Sequence, residues 1–160
     1  RRVVRLPLFG REQLDELPGP YVSLVNQARE AAGNAYAPYS NYHVGAAVLL
    51  ENGEIITGNN QENAAYPSGL CAERVALFYA GSRYPDVAVR AMAIVAIREG
   101  SVQEEPVTPC GACRQVLYEK EFLGGHPIEL ILFGTGKILV VQRAGDLLPL
   151  PFMLKKGDLS

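Results

Sequence analysis

Apolar residues at Val22, Leu24, Val25, Ala28, Ala31 and Ala32 recur at helical spacing, which predicts a helix with one apolar face over residues 21–32. Gly33-Asn34 stops it, and Pro38 discourages its resumption. Val44 to Leu50 is a continuous apolar run, the pattern of a buried strand. Asn52-Gly53 follows as a hairpin signal, and Ile55-Ile56-Thr57 returns as a second strand. Residues 58–70 are mostly polar and carry Pro67 and Gly69, so they read as a loop. The pattern then predicts a helix over 71–79 with Pro85 beyond its end, a long strand over 87–97 and a loop over 100–108. A helix over 110–122 ends at Gly124-Gly125, and strands over 128–133 and 138–141 flank the turn Gly134-Thr135-Gly136. Strands mixed with helices of this length predict a layered α/β protein.

A length of 160 residues suits one domain with a real core. Residues 1–20 contain Pro7, Pro18 and Pro20 and read as an N-terminal extension with a short helical turn over 11–17. Residues 21–152 form the domain, and 153–160 a C-terminal tail. The net charge of −2 offers no basic face for a polynucleotide and points to a small substrate. No apolar run reaches the length of a membrane span, and Val3-Val4-Arg5-Leu6 is too short and too charged for a signal peptide.

The three cysteines change the picture. An odd number would leave one over in a disulfide framework. Thiolate metal ligands are safest in a reducing compartment, so the cytosol is expected. The cysteines fall in two motifs, Cys71-Ala72-Glu73-Arg74 and Pro109-Cys110-Gly111-Ala112-Cys113. Three thiolates fill three of the four tetrahedral positions of zinc and leave one open, the mark of a catalytic site. Both motifs lie at predicted helix starts, where free N–H groups and the positive helix end favour thiolates. Glu73, two residues after the first ligand, is placed to shuttle protons at the open position. Arg74 is the candidate to offset the negative charge of a three-thiolate zinc site. A structural zinc closed by His43 or His126 is the competing reading. A redox C-x-x-C is a weaker one, because it leaves Cys71 unexplained.

The two cysteine motifs, extended to Arg114-Gln115, occur with Ala35-Tyr36-Ala37-Pro38-Tyr39-Ser40, Val44-Gly45-Ala46-Ala47, Asn60-Gln61-Glu62-Asn63-Ala64 and Leu147-Leu148-Pro149. Together they resemble cytidine deaminase in its small, all-cysteine, homotetrameric form. The resemblance implies a three-layer α/β/α sandwich with a mixed five-stranded sheet and the zinc helices on one face. It implies one Zn2+ per chain, held by Cys71, Cys110 and Cys113. The implied reaction is hydrolysis of cytidine and deoxycytidine to uridine and deoxyuridine with loss of ammonia, in cytoplasmic pyrimidine salvage, with Glu73 as the proton shuttle and Arg74 bonded to the sulfurs. Asn60 and Glu62 match the positions that hold the ribose hydroxyls. Ala72 matches the position whose backbone N–H meets the pyrimidine carbonyl. Tyr42 stands where the family usually carries Phe against the ring, a departure that adds a hydroxyl. Phe152 matches an aromatic that enters a neighbouring subunit's site. Packing along such a neighbour is the expectation for the N-terminal extension. Two other functions compete: deamination of a related aminopyrimidine nucleoside antibiotic, and a non-catalytic zinc-stabilised domain.

Overall fold

The computed structural model describes residues 8–11 and 13–154. Its chain order is β1 (Leu8–Arg11), α1 (Gly19–Ala32), β2 (Tyr42–Leu50), β3 (Ile55–Asn59), α2 (Ala72–Arg83), β4 (Val89–Arg98), β5 (Ser101–Val102), α3 (Gly111–Gly124), β6 (Glu129–Phe133) and β7 (Ile138–Val141). Short 3-10 turns occupy Leu14–Glu16, Tyr66–Ser68 and Ala144–Leu147. The sheet runs β1-β7-β6-β4-β2-β3, with β5 folded back on the end of β4. Among the strands of the described residues only β4 and β6 pair in parallel, so the sheet is mixed as expected.

The strand runs are apolar throughout because both faces of the sheet are covered. Side chains alternate along each strand. Val48 and Leu50, Met92 and Ile94, Leu130 and Leu132 face α2 and α3. Ala47 and Leu49, Ala91, Ala93 and Val95, Ile131 and Phe133 face α1 with its Leu24, Val25 and Ala28. Each fully buried Leu or Ile contributes roughly 1.5–3 kcal/mol. The result is the predicted three-layer sandwich.

Gly45 and Gly58 set how closely the helices approach the sheet. A Cβ on Gly45 would run into the backbone oxygen of Ala28 in α1. One on Gly58 would lie 2.5 Å from Ala76 N and 2.8 Å from Ala72 O in α2.

The sheet has seven strands, two more than the five expected. One addition is β5, made by a tight reversal at Glu99-Gly100, where both residues have positive φ, 52° and 76°. That backbone suits a two-residue hairpin turn. The other is β1, from the segment read as an extension. It pairs antiparallel with β7 of its own chain, Leu8 opposite Val141 and Arg11 opposite Ile138. The expected turn within 11–17 is present as the 3-10 turn at Leu14–Glu16, and Leu17 is buried in the α1-side core. Helix α1 starts at Gly19, so the 20/21 boundary falls inside its first turn. Residues 1–7, 12 and 155–160, which include most of the predicted tail, lie outside the described residues.

Candidate active site

Helices α2 and α3 start side by side on one face of the sheet, and each places a cysteine at its N-cap. Cys71 and Cys110 have extended backbones (ψ 153° and 170°), and Cys113 follows in the first turn of α3. The Cys71 and Cys110 sulfurs are 3.7 Å apart, and those of Cys110 and Cys113 3.5 Å. A tetrahedral zinc with Zn–S near 2.3 Å would hold its sulfurs about 3.8 Å apart. The donor set therefore fits zinc, with three sulfurs within 4.8 Å of one another at two helix N-termini. Neither histidine joins the group. His126 lies 3.2 Å from Glu51, and His43 sits in β2 opposite Ile97. The reading of a zinc closed by histidine is not supported among the described residues.

Arg74 Nη2 donates to Cys71 Sγ at 3.6 Å. The hydrogen bond from Cys113 is the main cause that lowers the Cys71 thiol to about 5, and Arg74 and Cys110 add to it. The same shared proton raises Cys113, which acts as the donor. The anionic sulfur in turn raises Arg74. Glu73 is 5% exposed. Burial is the main cause that pushes its carboxyl up to about 7, and the neighbouring Cys71 charge adds to it. Ala72 is fully buried at the first position of α2. The first intrahelical bond runs from Val75 N to Cys71 O, so the Ala72 N–H is free of the helix ladder.

Beside the sulfurs lies a cavity of about 550 Å³ lined by Asn60, Glu62, Cys71 and Arg74 and by Tyr39, Ser40 and Tyr66. Asn60 Nδ2 donates to Tyr42 O at 2.8 Å, and Val44 N donates to Asn60 Oδ1 at 2.7 Å, so this amide also clamps β2. The Glu62 carboxylate accepts from Tyr39 N at 2.8 Å, Ser40 N at 3.3 Å and the Ser40 hydroxyl. The Ser40 hydroxyl is the main cause that holds the Glu62 carboxyl below its ordinary range. Tyr42 is half-buried, which raises its phenol. Tyr42 and Phe152 do not line this cavity. Phe152 is 70% exposed, so it is not an ordinary core residue.

Several residues here carry no role in the sequence reading. Tyr39 and Tyr66 meet edge to face, with centroids 6.0 Å apart, on the cavity rim. Tyr39 and Ser40 stand in a motif already noted, which was the available signal. Glu121 is buried in α3, and its carboxylate accepts from Ile128 N at 2.9 Å, Gly145 N at 3.3 Å and Arg143 Nε at 3.0 Å. Arg114 Nε donates to Pro109 O at 2.8 Å, which fixes the turn into Cys110.

Three cysteine sulfurs, a buried glutamate and a three-layer mixed sheet define a zinc hydrolase site of the deaminase kind. The chain belongs to the family described as the cytidine and deoxycytidylate deaminase zinc-binding region, whose profile matches residues 21–122. It is 39% identical to a cytidine deaminase of Mycobacterium tuberculosis, over 82% of this chain and 88% of that one. It is 48% identical to a cytidine deaminase of Sporosarcina psychrophila, over 60% of this chain and 66% of that one. A crystal structure of cytidine deaminase from Burkholderia pseudomallei superposes with a TM-score of 0.68 at 42% identity, covering 81% of this chain and 97% of that one.

Proposed function

We propose that this protein hydrolyses cytidine and deoxycytidine to uridine and deoxyuridine with release of ammonia, using one zinc ion. The observation that carries this is Glu73, buried in the first turn of α2 beside three converging cysteine sulfurs. Cys71, Cys110 and Cys113 hold the metal. When bound, zinc supplies Lewis acidity that makes water a nucleophile at neutral pH.

The reaction forms a bond from the water oxygen to C4 and breaks the C4–N4 bond, with the amine leaving as ammonia. Glu73 carries a proton from the water to the ring nitrogen and a later one to the departing amine. Its burial keeps bulk water from exchanging those protons. Arg74 offsets the sulfur charge. The free Ala72 N–H receives the pyrimidine carbonyl. Asn60 retains a hydrogen on Nδ2, and Glu62 retains lone pairs, for the ribose hydroxyls. Tyr42 offers a ring face to the pyrimidine. Phe152, exposed in one chain, completes the site of a neighbour in a homotetramer. The setting is cytoplasmic pyrimidine salvage. Family membership does not favour the antibiotic nucleoside or the non-catalytic domain.

The test is ammonia release by the zinc-loaded protein across a panel of cytidine, deoxycytidine, cytidine 5′-monophosphate and adenosine. Turnover of the first two supports the proposal. No turnover of either by zinc-loaded, folded protein refutes it.

A further inference from the structure

Beyond the 3-10 turn at Ala144–Leu147, the chain runs to Leu154 without regular structure. Pro149 and Pro151 carry no N–H and bias the residues before them toward extended backbone. Leu150, Phe152 and Leu154 are 92%, 70% and 53% exposed, while Pro151 and Met153 between them are partly covered. This is the alternation of an extended segment, with the Phe152 ring on the outer side. Packing within the chain does not fix a ring so exposed.

What holds the segment is one side chain. Gln115 Nε2 donates to Phe152 O at 2.7 Å, and Phe152 N–H donates to Gln115 Oε1 at 3.0 Å. Among the described residues these are the only hydrogen bonds made by 149–154. The amide pairs with the residue at both backbone groups, as a residue on an adjacent strand would. Gln115 lies in α3, two residues after Cys113. Its neighbour Arg114 donates from Nη1 to Leu147 O at 3.4 Å, and Glu121 accepts from Gly145 N, so α3 also anchors the turn from which the segment leaves.

We propose that Gln115 is a positioning residue. It sets Phe152 at a fixed register on the helix that carries Cys110 and Cys113, and so sets where the ring meets substrate. This rests on the reading that Phe152 contributes to a substrate site. A merely structural Gln115 would steady the chain without touching substrate affinity.

The experiment measures KM and kcat for cytidine, and the melting temperature, of zinc-loaded Gln115→Met, Phe152→Ala and the double variant. Gln115→Met keeps the length and removes both hydrogen bonds. It is expected to raise KM about 5- to 150-fold, the worth of two neutral hydrogen bonds. Because the effect passes through Phe152, the double variant should match Phe152→Ala alone. Unchanged KM in Gln115→Met, with KM raised in Phe152→Ala, overturns the inference and leaves the Phe152 reading standing. Wild-type KM in Phe152→Ala removes that reading and the inference with it. A further rise in the double variant also overturns it, because Gln115 would then act by another route.

Discussion

A glutamate in the first turn of a helix ordinarily faces water, favoured there by the helix dipole. Glu73 is instead buried against the cysteine sulfurs. Glu73→Gln keeps its shape and removes the shuttle, so kcat should fall by about 10²–10⁴-fold. Zinc content by elemental analysis should stay at wild-type level, because the ligands are untouched. Retention of more than about a tenth of the wild-type kcat would remove Glu73 from that role. The cysteines and Glu73 were legible in the sequence because their chemistry demands those residue types at those spacings. Glu121 was not, and Arg114 and Gln115 stood in the cysteine motif without a role. Gln115 and Glu121 reach Phe152 and Gly145, far along the chain, and Arg114 and Glu121 also take the nearby backbone groups Pro109 O and Ile128 N, which no residue type signals. The resemblance assigns Asn60 and Glu62 to the ribose hydroxyls, and nothing in the sequence signals that they also clamp β2 and the Tyr39–Ser40 turn.

Elements with a long apolar pattern were found close to their observed limits. Residues 138–141 form β7 as predicted, and α1 starts two residues before its predicted limit, at Gly19. Helix α2 runs four residues past the predicted Tyr79, to Arg83, because nothing stops it before Pro85. Strand β5 was missed because two residues give no pattern, and β1 because Leu8-Phe9-Gly10-Arg11 is not the continuous apolar run that Ile138–Val141 is. The position of α2 rests on Gly58. Gly58→Ala would press a methyl group into the α2 backbone. Overpacking of this kind costs roughly 1–3 kcal/mol. Because Cys71 rides at the start of α2, the variant should show a lower melting temperature together with reduced zinc content. Loss of stability with full zinc occupancy would mean that α2 moves without carrying Cys71. Glu121 fastens the other zinc helix. Glu121→Ala leaves the N–H groups of Ile128 and Gly145 unpaired in a buried setting, each at about 1–3 kcal/mol. A total loss of about 3 kcal/mol is expected as a lower denaturant midpoint. The KM for cytidine below the melting range should stay within about twofold of wild type if Glu121 serves stability alone.

In the whole molecule, the metal should tie together the starts of α2 and α3, which otherwise meet through packing and the contacts among their cysteine sulfurs. Binding to the folded state at about 1,000 times Kd adds roughly 4 kcal/mol. For a chain of this size that is about 8–16 °C in Tm. Chelation should therefore lower the calorimetric melting temperature by about that amount as activity disappears, and added zinc should restore both. A chelator that abolishes activity with no change in melting would mean that the metal carries chemistry without joining the helices. Strand β1 bears on a different matter. The outer edge of β7 reads Ile-Leu-Val-Val, and an open apolar edge is a template on which a second chain can add a strand. By pairing with β7, Leu8–Arg11 becomes the sheet edge in its place, a short one that ends in Gly10-Arg11, and short or charged edges blunt edge-to-edge growth. Removing residues 1–12 should leave turnover per soluble molecule unchanged while concentrated solutions scatter light and bind a cross-β dye. The first strand would then matter less to catalysis than to how much protein a cell can keep dissolved.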